Sequence, residues 1–189
     1  MRILWIYIAV FWPVFATSQA VIFQPDSIPM VNGEVVFDVG FDFDLSQSQY
    51  NARINQFLSK QFNPVSGEIT EKTPDLTRCQ VTDYISVGDN FFQSFGIYML
   101  YDLTLRVVDG HTQMRIDNIK YLEQGYYDTY VDPSDTRTIP LYTAAEIMID
   151  HQFKQLFVKN ASSRITETSL ERINSIAADL HDLFEVNEN

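Results

Sequence analysis

A chain of 189 residues with 46% apolar side chains, 14 Phe and 10 Tyr among them, has the length and material for one domain with a real core, so whole-chain disorder is excluded. Lys and Arg number 13 against 25 Asp and Glu, and the formal charge of −12, with no basic run, excludes nucleic acid as a partner because a phosphate backbone would be repelled.

The N-terminus carries one basic residue, Arg2, an apolar block from Ile3 to Phe15, and then Ser18-Gln19-Ala20, the small-x-small form that a signal peptidase accepts. Residues 1–20 therefore read as a signal peptide, 21–32 as an N-terminal extension, and 33–185 as a single α+β domain. Pro13 and the polar Thr17-Ser18-Gln19 leave too short an apolar run for a retained anchor, so no stable membrane span is expected after cleavage. The expected location is periplasmic or extracellular. The single cysteine, Cys79, excludes an intrachain disulfide, and its place on the apolar parity of a strand makes it a small buried hydrophobe.

The first element is read from Val35, Phe37, Val39, Phe41 and Phe43, which alternate without a break as the buried face of one strand. Asp38 and Asp42 then fall on the opposite, solvated face, with Asp44 beyond them. Ser46 with Gln49 forms a capping box, and Tyr50, Ile54, Phe57, Leu58 and Phe62 give a helix that stops at Asn63-Pro64. A loop is expected from Asn63 to about Leu76. Cys79, Val81, Ile85 and Val87 define the next strand and share their parity with Asp83, an acid on an apolar face. From Phe95 to Val107 every odd position is apolar, Asp109-Gly110 suits a two-residue type I′ turn, and Thr112, Met114 and Ile116 carry the return strand toward Leu122. Residues 123–140 show no period and read as a loop, with Thr138–Leu141 as a short edge strand. Two C-terminal helices are expected within 144–185, one over Ala144–Lys159 and one capped by Thr168 with Glu171. The sum is an antiparallel β-sheet of β-α-β-β-β order with helices packed on one face, which leaves the other face open.

The stretches "GEVVFDV", "LSQSQYNARINQFLSKQF" and "LTLRVVDGHTQMRIDNI" resemble a family of uncharacterised secreted proteins of Bacteroidota, a domain of unknown function with a TATA-binding-protein-like (TBP-like) fold, over about Gly33 to Tyr121. The resemblance implies the fold and an export route, and no reaction. Where that family usually follows the Asp-Gly with basic and aromatic residues, this chain has His111, Thr112, Gln113 and Met114, which implies that a site shared there is altered.

No residue pattern assigns a catalytic, cofactor or metal role. Asp38 and Asp42 lie two pleats apart, too far for one ion, and the calcium-loop pattern is absent. His111, His151 and His181 have no metal-ligand spacing, and no G-x-S-x-G context marks a nucleophile. The segment 126–135 gathers Tyr126, Tyr127, Asp128, Tyr130, Asp132 and Asp135 and is the expected partner-binding loop, for a protein or glycan of the envelope. Parity makes Tyr84, Tyr98 and Tyr121 candidate exposed anchors on the open face. The expected function is a non-catalytic binding module of the cell envelope; the alternatives are a small hydrolase whose site assembles only in three dimensions and a calcium-stabilised module.

Overall fold

The alternating segments become one antiparallel sheet in the computed structural model, which describes residues 23–43, 45–61, 67–88, 95–108, 111–132, 134–154, 158 and 160–185. The expected signal peptide, Asp44 and the Asp109-Gly110 turn lie outside the described residues. A short hairpin of β1 (Met30–Val31) and β2 (Glu34–Val35) precedes β3 (Phe37–Phe41), α1 (Gln47–Gln61), β4 (Gly67–Lys72), β5 (Leu76–Val87), β6 (Phe95–Val108) and β7 (His111–Glu123). A 3-10 turn at Gln124–Tyr126 leads into α2 (Tyr127–Val131), and β8 (Leu141–Thr143), a π turn (Ala145–Ile149) and α3 (Ala161–Glu185) complete the chain. The main sheet runs β3-β7-β6-β5-β4, with β8 beside β3 on the far half of β7.

Two sequence features fix the entry to the sheet. Asn32 and Gly33 take the left-handed conformations, φ 54° and 88°, that the β1-β2 turn requires. The expected unbroken strand from Val35 to Phe43 is interrupted at Val36: Val35 and Val36 are both buried, and Val36 N donates to Pro29 O instead of continuing the ladder. The Ser46 box forms as expected, Ser46 N donating to Gln49 Oε1 at 3.0 Å and Gln49 N to Ser46 Oγ at 3.4 Å.

α1 and α3 lie on one side of the sheet and bury its odd-numbered β5 and β6 side chains, including Cys79, Ile97 and Leu103. Burial pushes the Cys79 thiol up to about 11, an inert thiol. Asp83, on this apolar side, is neutralised by Arg172 of α3, whose Nε lies 2.7 Å from Asp83 Oδ2; Tyr101 Oη donates to the same oxygen at 2.8 Å. Tyr50 Oη, by contrast, is buried without a hydrogen-bond partner among the described residues, and burial, then Asp75, raises its pKa to about 12. Tyr50→Phe removes a desolvated hydroxyl and leaves the shape, so stability in a urea titration should hold or rise by up to about 1 kcal/mol. A loss of more than about 1 kcal/mol would mean that the hydroxyl is satisfied.

The structure corrects further expectations. The loop from Asn63 to Leu76 contains β4, whose side chains are almost all exposed, so it has no buried parity to betray it. In β7 an extra residue, between the Leu100↔Lys120 and Asp102↔Asp117 pairs, places Asn118 at φ 52° and reverses the parity: Met114 and Ile116 are buried before it, Ile119 and Tyr121 after. Tyr121 is therefore no exposed anchor but fully buried, its hydroxyl donating to Ser169 Oγ at 2.9 Å. Among the described residues of the helix expected over Ala144–Lys159, which leave out 155–157 and 159, the helical part is a single π turn, started by the Thr143–Glu146 box and closed by His151 at φ 52° with Gln152 N on Glu146 O. The second expected helix is longer than its box suggested. Its apolar stripe begins at Ala161 and Ile165, and Thr168 Oγ1 bonds Arg164 O one turn back, inside a running helix.

Candidate functional site

The face of the sheet away from α1 and α3 is organised in cross-strand rows by the pairing register. Tyr84, Tyr98 and Leu122 form one row; Thr82, Leu100 and Lys120 the next; Glu68, Gln80 and Asp102 the third. Beyond them come Arg78, Thr104 and Arg115. The face thus grades from aromatic through mixed to charged.

At the aromatic end the chain after β7 folds back over the sheet. Tyr127 stacks on Tyr98 with centroids 4.0 Å apart, Tyr84 meets Tyr98 edge-on at 5.2 Å, and Tyr84 Oη donates to Gln124 Oε1 at 3.2 Å. Leu122, on the same face, is fully buried by this arrangement. Gly96 permits it: a Cβ there would sit 2.5 Å from the Tyr84 ring, so only glycine lets the ring lie flat against β6. Burial first, and then the neighbouring Tyr127, Tyr84 and Asp128, raise the Tyr98 pKa.

Between α2 and the edge strand β4 the middle rows floor a trough of about 400 Å³. Tyr130, Val131 and Leu141 form its apolar rim, and Glu68, Gln80, Asp102, Asn118 and Lys120 are its polar lining. Asn118 Nδ2 donates to Asp102 Oδ2 at 3.2 Å, which fixes that carboxylate. Lys120 is half-buried and has no acid partner among the described residues. At the charged end the arginines are occupied: Arg78 with Glu71 at 3.0 Å, Arg115 with Asp117 at 2.7 Å and Asp38 at 3.4 Å, Arg106 with Gln113 Oε1 at 2.9 Å.

Of the residues expected to bind a partner, Tyr127 and Tyr130 reach the trough, while Tyr126 is exposed in the 3-10 turn beside it. Two of the three acids, Asp132 and Asp135, turn inward on their own loop. Asp132 accepts from Ser134 N at 2.9 Å and Ser134 Oγ at 2.6 Å, and these bonds lower its pKa. Asp135 is held by Arg137, at 2.9 Å from Nε, and its pKa drops to about 2. Arg137 Nη2 also donates to Thr129 Oγ1, tying the loop to α2. Asp128, Asp132 and Asp135 therefore do not converge on a common point; among the described residues the convergent group of potential metal ligands is His181, Asp182 and Glu185, on the last turns of α3. Asp42 pairs with His111 Nδ1 at 2.8 Å on an exposed surface, and none of the three histidines hydrogen-bonds a hydroxyl or thiol among the described residues.

Sequence reasoning missed Lys120, Asn118, Glu68, Gln80 and Asp102. The even parity of β5 and β6 carries Gln80 and Asp102, but Lys120 joins that face only through the Asn118 bulge, and Glu68 only because β4 exists.

An antiparallel sheet carrying helices on one face and an open groove on the other defines an α+β protein of TBP-like architecture. Residues 43–122 match the family model of DUF4468, a domain of unknown function with a TBP-like fold. Its structure is similar to that of a DUF4468 family protein from Bacteroides ovatus, with a TM-score of 0.63 and 14% identity over 86% of this chain and 92% of that one. A TBP-like protein from Parabacteroides distasonis gives 0.62 and 14% over 85% and 99%. At such identity the likeness is one of fold. No curated protein matches the chain.

Proposed function

We propose that the protein is an exported, non-catalytic binding module of the cell envelope that receives its partner, a protein or a glycan, on the open face of the sheet. The observation that carries this reading is the gathering of exposed apolar side chains around the trough: Tyr130 at 42%, Val131 at 53% and Leu141 at 40% exposure, with Tyr84 at 50% beside them. The polar networks elsewhere have internal roles, since Asp83 serves Arg172 and Asp135 serves Arg137. Export rests on the N-terminal sequence, and among the described residues no helix is long and apolar enough to cross a membrane.

Two measurements test it. Protein recovered from the periplasmic or culture fraction should begin near Val21 by N-terminal sequencing; recovery only in the cytoplasm with Met1 intact would defeat the export reading. Tyr130→Ala with Val131→Ala should remove at least about nine-tenths of the ligand retained by the immobilised chain from envelope extracts, at unchanged melting temperature. Retention by the double variant equal to that of the parent would move the site off this face.

A further inference from the structure

We propose that the trough takes an oligosaccharide bearing a carboxylate, with Lys120 holding the carboxylate and Tyr130 covering a sugar ring; this rests on the binding-module reading above and narrows it to one ligand class. The first ground is charge. In a chain with 25 acids to 13 bases, Lys120 is half-buried in the trough and no carboxylate of the described residues lies within ion-pair distance. Glu34 lines the adjoining hollow of about 160 Å³ with Lys120 and still does not pair with it. A partly desolvated ammonium without a counter-charge is completed by an anionic group of the ligand.

The second ground is the remaining lining. Gln80, Thr82 and Asn118 offer short donors and acceptors, and Glu68 and Asp102 offer acceptors only, in two adjacent cross-strand rows. Carboxylates and amides at strand spacing suit a ligand that presents many hydroxyls, and an exposed phenol on the rim suits the apolar C–H face of a sugar ring. A polyanion is disfavoured by the net charge of −12, so the fit is to isolated carboxylates among neutral sugars. An extended peptide would need the edge of β4, which is broken by a register shift between Ile69 and Glu71 and carries Glu68, Glu71 and Lys72, features that oppose strand addition.

The test uses the full chain after export, an array of neutral and carboxylated oligosaccharides including sialyllactose and glucuronic-acid trisaccharides, and titration calorimetry on the best binders beside their carboxyl-reduced forms. Binding should be confined to the carboxylated members, weaken about tenfold or more in Lys120→Ala, and stay within about threefold of the parent in Lys120→Arg. Tyr130→Ala should weaken it comparably, and melting curves of all variants should coincide. Equal binding of carboxyl-reduced glycans with no effect of Lys120→Ala would overturn the carboxylate assignment. Absence of glycan binding, with a protein still retained in a Tyr130-dependent way, would overturn the ligand class and leave the open-face reading standing. Loss of both would remove the two together.

Discussion

Phe184→Ala is expected to lower the unfolding free energy by about 4 kcal/mol and the melting temperature by about 10 °C. Phe184 closes α3 at 2% exposure and sits among three rings, from β3, the segment just after it and α1. Its centroid lies 5.8 Å from Phe41 of β3, 5.8 Å from Phe43 and 6.2 Å from Tyr50 of α1. Its carbonyl also accepts from Arg53 Nη1, so the last turn of α3 is tied to α1 by packing and by a buried hydrogen bond. A truncation there opens a cavity that three elements must share, and rigid neighbours on a sheet close it poorly. Phe184→Leu keeps much of the volume and should recover more than half of the loss. A deficit below about 1 kcal/mol for the alanine variant in urea would show that this end of α3 is not part of the cooperative unit.

The second large effect is electrostatic. Asp83→Ala leaves the Arg172 guanidinium, and the Tyr101 hydroxyl beside it, without the carboxylate that both use, at a side-chain exposure of 26% for Arg172. The residual contact of Arg172 Nη1 with Gln61 Oε1 at 3.1 Å supplies a neutral acceptor only. Full burial would make the loss about 3–5 kcal/mol, and solvent access to Arg172 brings the expected value to about 2–3 kcal/mol. The double variant Asp83→Leu with Arg172→Met removes both charges and should restore most of that stability, because the cost lies in the orphaned ion and not in the missing pair. If the double variant were as unstable as the sum of the two single variants, the two side chains would act independently and the orphaned-ion account would fail.

The origin of Asp83 also shows where sequence reading stops. Its position among Cys79, Val81, Ile85 and Val87 was legible from alternation, and so was the oddity of an acid there, but the partner is 89 residues away on a helix whose rotation no local pattern fixes. Strands with one buried face announced themselves, and β5, β6 and most of β7 follow the alternation. β4 did not, because an edge strand outside the cover of the helices buries almost nothing. The capping boxes divide in the same way: Ser46 with Gln49 starts a helix, whereas Thr168 with Glu171 matches the pattern inside one. In the candidate site, the tyrosines of 126–130 were visible as composition; the side of the sheet they meet depends on a fold-back held by Tyr98 and Leu122. Asp132 and Asp135 of the same loop were read as partner-binding residues, yet short-range bonds to Ser134 and Arg137 satisfy them locally.

The extra residue at Asn118 means that β7 is written in two reading frames. Ahead of it the even numbers spell core and the odd numbers spell surface; behind it Lys120 stands with the surface and Tyr121 with the core. Straightening the strand with every residue kept would bring both into the first frame, driving an ammonium toward the core and turning a buried phenol out to water, whereas deleting Asn118 would leave both where they are. The groove and the hydrophobic interior are thus not independent inventions on opposite sides of a sheet. One backbone offset assigns residues to both.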